Sequence, residues 1–97
     1  MAKTHARVKL MKMHSVVAAT LIADESLDWV WIDANHQYQP VLDDMNAWYP
    51  KVRPGYIFSG HDYWESALNK AVNEWMESHN LPFAVSDSSW WAIKPTP

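Results

Sequence analysis

"WVWIDANHQY" (residues 29–38) opens as an unbroken apolar run and stops abruptly at an acid, with a histidine three positions further on. "YIFSGHDYW" (56–64) does the same, closing its apolar run on His61 and Asp62. A short apolar run bounded by turn-forming residues suits a strand buried on both faces, as in a parallel sheet. Two such runs, each ending in side chains able to ligate or exchange protons, predict neighbouring strands that deliver their ends to one crevice.

The residues between and around them supply helices. Pro40 fits a first helical turn, where its missing N–H costs nothing. Val41, Leu42, Met45, Trp48 and Tyr49 then recur on one helical face, with Asp43 and Asp44 in the early turns. "YPKVRPG" (49–55) ends that helix with two prolines and a glycine. Residues 64–79 carry the clearest helical stripe, Ala67, Leu68, Ala71, Val72, Trp75 and Met76, stopped by Asn80 and Pro82. Upstream, "RVKLMKMH" (7–14) alternates imperfectly, as a strand does. Ser15 reads as an N-cap of a short helix, "VVAATLIA", whose Val16, Val17, Ala19 and Leu21 are expected to face inward. "DESLD" (24–28) is a polar turn. "LPFAVSDSSWWAIK" (81–94) places two apolar runs about a Ser-Asp-Ser-Ser turn, an antiparallel hairpin. The order strand, helix, strand, helix, strand, helix, strand, strand predicts one α/β domain over 1–97. Its parallel strands are joined by right-handed crossovers and finished by an antiparallel pair. In such sheets ligands collect outside the carboxyl ends of the strands, where Asp33, His36, His61 and Asp62 fall.

Composition narrows the classes. A net charge of −3 and a pI near 5.9 argue against nucleic acid as the main partner, since phosphate binding requires a basic patch. The chain has no Cys, which removes disulfides, thiolate ligands and a thiol nucleophile. Residues 1–15 lack the apolar core of a signal peptide, and no run reaches membrane-span length. A soluble, cytoplasmic protein is the expectation. Seven tryptophans are a heavy load for 97 residues. Trp48 and Trp75 lie on helical stripes and read as core; Trp29 and Trp31 share one strand face; Trp90 and Trp91 point to opposite faces. Some of these, with Trp64, must reach the surface, where exposed aromatic area marks an interface and base stacking is the second reading.

The segment "SLDWVWIDANHQYQPVLDDMNAWYPKVRPGYIFSGHDY" (26–63) resembles class I S-adenosylmethionine-dependent methyltransferases of the small-molecule group, whose strand ends read "IDG-x-H-x-Y" and "GG-x-x-x-x-HD". Ala34 and Asn35 depart from that pattern, and Tyr56 replaces its second glycine. The resemblance implies a truncated Rossmann-like methyltransferase fold. "RVKLMKMHS" corresponds to its third strand and following turn, so the chain looks like the carboxyl-terminal half. The family's Gly-rich cofactor turn has no counterpart, for Gly55 and Gly60 are the sole glycines. The strand at 29–34 would then present an open edge, to be covered by residues 7–14 or by a second copy. A symmetric homodimer is the partner expectation, with a chain supplying the missing cofactor half as another.

The resemblance also assigns roles. Asp33, His61 and Asp62 would hold a divalent metal that orients a substrate hydroxyl. The two aspartates suit Mg, while the histidine tilts the site toward Zn, Mn or Fe. Against this stands a polar cluster capping strand ends through hydrogen bonds. His36 is a fourth ligand or a general base near the methyl acceptor, or else bonds to the following helix start. Asp33 joins His36 as a catalytic position and Ser15 as a cofactor contact, Ser15 falling where the family meets the adenine ring. The expected function is that of a methyltransferase-like fragment derived from a small-molecule O-methyltransferase and inactive alone. The alternatives are a non-catalytic oligomeric module and a metal- or small-ligand-binding protein.

Overall fold

The computed structural model describes residues 7–10, 15–32 and 37–96, with side chains from residue 16 onward within those ranges. Five strands, β1 (Arg7–Leu10), β2 (Leu27–Ile32), β3 (Val52–Gly60), β4 (Ala84–Ser86) and β5 (Ser89–Ile93), form one sheet in the order β1-β2-β3-β5-β4. β1, β2 and β3 run parallel, while β5 is antiparallel to both β3 and β4. The connecting helices are α1 (Ser15–Ala19), α2 (Tyr38–Trp48) and α3 (Ser66–Ser78), with a single 3-10 turn at Tyr49–Lys51. The α/β class, the parallel strands with crossover helices and the terminal hairpin are as the sequence predicts.

The strand order has a consequence for the layers. β1, β2 and β3 advance across the sheet in one direction, so right-handed crossovers put every helix on the same face. α2 accordingly packs against both α1 and α3. Register defines which residues lie under them. Val30, Phe58 and Ala92 are paired across three strands, and so are Ile32, Gly60 and Trp90. These rows are buried, with Val30 and Phe58 at 0% exposure. Val41, Met45 and Trp48 of α2 and Leu68, Val72 and Trp75 of α3 complete the core. Trp75 meets Phe58 at 5.5 Å between ring centroids.

The alternate rows, Trp29–Ile57–Ile93 and Trp31–Ser59–Trp91, lie on the other face. Trp29, Trp31 and Ile57 are half-buried, and Trp91 and Ile93 are exposed. This corrects the expectation that the run at 29–32 is covered on both faces: its helices all lie on one side. Trp90 and Trp91 do point to opposite faces, buried and exposed, and Trp64 is exposed.

Three further expectations change. Among the described side chains of α1 only Ala19 is buried; Val16 and Val17 are exposed, as is Leu21 just beyond the helix. The helix lasts five residues before i→i−3 bonds from Thr20, Leu21 and Ile22 replace the α pattern, so a 3.6-residue stripe never develops. β3 starts at Val52 rather than at Tyr56 and carries Pro54 and Gly55 within it. Its pairing jumps from Leu27↔Val52 to Trp29↔Ile57, a bulge that takes up the proline and the left-handed Gly55 (φ 89°). Finally, β2 has no open edge, because Arg7–Leu10 pairs with Trp29–Ile32 within the same chain. Of the two coverings considered for that edge, the intramolecular one is present. Residues 11–14, the remainder of that predicted strand, lie outside the described residues.

α3 ends as its sequence predicts. Asn80 takes the left-handed conformation (φ 51°), and the Leu81 N–H donates to Met76 O at 2.9 Å, closing the helix end.

Candidate functional site at the strand ends

The carboxyl ends of β2 and β3 abut: the His61 N–H donates to Ile32 O at 3.1 Å. Asp33 and His36 follow Ile32 directly and lie outside the described residues, as do their predicted catalytic, cofactor and metal roles. Ser15 opens α1 instead of preceding it, and the predicted adenine contact rests on a side chain outside the described set.

His61 and Asp62 do come together. His61 Nδ1 lies 3.1 Å from Asp62 Oδ1, and His61 Nε2 lies 2.8 Å from the Ser88 hydroxyl. One tautomer satisfies both contacts, with Nδ1–H donating to the carboxylate and Nε2 accepting from Ser88. The ring also stacks on Trp31, with centroids 5.7 Å apart at 30°. Asp62 adopts φ 62°, the left-handed region that Asp tolerates better than most residues. That turn brings its carboxylate back beside its neighbour's ring. Next along the chain, the Tyr63 N–H donates to Ser88 O at 2.9 Å, so the β4–β5 turn is held to the end of β3 twice. Tyr63 in turn donates its hydroxyl to Asn73 of α3 at 2.5 Å.

Ser88 is the participant the sequence reading missed. It sits in "SDSS", read there as a turn signal alone, and its partner is 27 positions away. Nothing in the local pattern distinguishes its hydroxyl from that of Ser86 or Ser89.

The chemistry of this cluster is limited by its own saturation. Both imidazole nitrogens have partners, so a metal ion would first have to displace Ser88 or Asp62. Among the described residues no group of three His, Asp or Glu side chains is arranged to hold a metal. The glycines are equally committed. A β-carbon on Gly60 would stand 2.5 Å from the Trp90 indole, so this glycine exists to admit a tryptophan. Gly55 serves the β3 bulge. Neither glycine is therefore left to form a Gly-rich turn of the kind that cradles a dinucleotide or nucleoside cofactor.

The sheet, with parallel strands leading into an antiparallel hairpin and polar residues at the strand ends, is that of a Rossmann-like methyltransferase fold. The chain belongs to the methyltransferase domain family, which matches residues 1–63. A methyltransferase family implies S-adenosylmethionine as methyl donor in its parent members. The chain is similar to the crystal structure of a protein from Corynebacterium glutamicum, with a TM-score of 0.70 and 14% identity, over 86% of this chain and 45% of that one. It is 38% identical over 52 residues to an uncharacterized protein of Acanthamoeba polyphaga mimivirus, over 50% of this chain and 24% of that protein. The chain thus spans under half the length of either relative. Among the described residues no helix is long and apolar enough to cross a membrane.

Proposed function

We propose that these 97 residues form the acceptor-side module of a small-molecule methyltransferase fold and do not transfer methyl groups by themselves. The observation that carries this reading is the commitment of both glycines to packing and to a bulge, which leaves no Gly-rich turn for the cofactor. Methyl transfer requires the donor carbon to be held in line with the acceptor oxygen. No described element does that holding. The His61–Asp62–Ser88 cluster then serves to fasten the hairpin to the end of β3, keeping the crevice in shape. An alternative reading is a small-ligand site at the same strand ends, favoured by the part-exposed His61 ring.

The test is methyl transfer itself. Incubation of the pure chain with methyl-labelled S-adenosylmethionine and a panel of phenolic and other hydroxylated acceptors should label none of them. Turnover by the chain alone would overturn the proposal.

A further inference from the structure

The sheet face opposite the helices has features that the strand-end site does not use. Trp29, Trp31 and Trp91 surround an open groove of about 330 Å³ with Ser59 at its floor. Trp31 and Trp91 pair with Ser59 from either side, so they stand two strands apart, roughly 10 Å. Trp29 and Trp31 meet edge to face, with centroids 6.4 Å apart at 87°. The floor offers no hydrogen-bond code. The Ser59 hydroxyl donates to Val30 O at 2.8 Å and accepts from Trp29 Nε1 at 2.8 Å. Whatever rests here is held by ring faces.

Charge supplies the second observation. The net −3 averages two unlike parts. Lys3, Arg7, Lys9 and Lys12, half of all Lys and Arg, fall in the first 14 residues, and no acid precedes Asp24. The first 14 residues therefore carry +4 and the remaining 83 carry −7. β1, from this basic stretch, runs along β2 with Arg7 in register with Trp29 and Lys9 with Trp31. Of the exposed acids, Asp43, Glu74 and Glu77 sit on α2 and α3, in the helical layer behind the sheet, while Asp24 and Glu25 lie in the turn before β2 and Asp87 in the β4–β5 turn.

A second copy of the chain fits this face poorly. Trp91 and Ile93 are 42% and 45% exposed and Trp29, Trp31 and Ile57 partly so, which together leave on the order of 300 Å² open. A stable dimer takes about 800 Å² from each partner. Pairing of two copies along β1 would also bring like charges together.

We propose that this face binds single-stranded nucleic acid, with bases stacking on Trp29, Trp31 and Trp91 and phosphates following the basic β1 edge. Aromatic platforms beside cationic edges bind single strands without sequence preference, since every base presents a ring face. This proposal is independent of the methyltransferase reading.

The test titrates the full chain with a fluorescein-labelled oligothymidylate of about twelve nucleotides, within the span such platforms cover. Anisotropy should rise, with tryptophan quenching in parallel. Trp91→Ala should weaken binding roughly 5- to 150-fold. Lys9→Gln should lower the salt slope by about 0.7. Trp64→Ala, exposed and not among the residues lining the groove, should bind as the parent does, and circular dichroism verifies that each variant is folded. The proposal fails if no anisotropy change occurs, if duplex of the same sequence binds equally well, or if Trp91→Ala binds unchanged. It also fails if light scattering shows a dimer that Trp91→Ala dissociates and that takes up no oligonucleotide.

Discussion

The indole of Trp90 occupies the space where any side chain at position 60 would begin, 2.5 Å from a β-carbon built on Gly60. These residues face each other across β3 and β5, and both are buried. The glycine at the end of the second apolar run is therefore a packing device.

Gly60→Ala should destabilise the chain by about 1–3 kcal/mol, the usual cost of overpacking a core whose neighbour cannot swing away. Trp90 is 1% exposed and meets Phe58 edge to face, so it has nowhere to go. Urea denaturation followed by tryptophan fluorescence measures the change. A variant as stable as the parent would mean that the indole does not lie over Gly60.

The link between His61 and Ser88 should appear as a coupling. His61→Ala and Ser88→Ala each remove one end of the same hydrogen bond. A double-mutant cycle in denaturant should therefore return about 0.5–1.5 kcal/mol between them. Additive losses would show that the hairpin turn is held by the Tyr63 N–H alone.

Much of this arrangement was legible in the sequence. Length and period separated the strands from α2 and α3, and the stripe through Leu68, Val72 and Trp75 is the buried face of α3. The opposite orientations of Trp90 and Trp91 follow from strand alternation. Other features depend on tertiary context. Val16, Val17 and Leu21 are as apolar as core residues, yet α1 is too short to turn them inward. Burial of Trp29 and Trp31 on their own face depends on which side the crossovers place the helices, a property of strand order rather than of the run itself. At the site, adjacency put His61 and Asp62 together in the sequence. Ser88 reaches them only because β5 folds back along β3.

Alkaline pH should unfold the chain earlier than a fully exposed set of tyrosines would require. Burial against Phe58 and Trp75 raises the Tyr49 pKa above its ordinary value near 10. The folded state then holds its proton where the unfolded state releases it. The Tyr49 contribution to stability is therefore constant below about pH 10 and falls as pH rises above that value. Denaturation midpoints measured from pH 8 to 11 should decline at the alkaline end, and Tyr49→Phe should flatten the decline. An equal decline in Tyr49→Phe would move the cause elsewhere.

The central claim, a methyltransferase fold whose own residues do not hold the cofactor, is tested most directly by amide chemical shifts during titration with S-adenosylmethionine. The account predicts that the resonances of Ile32, Gly60, His61 and Ser88 stay in place up to millimolar cofactor. Saturable shifts of these amides at micromolar concentration would contradict it, and would mean that the strand ends alone form a cofactor site.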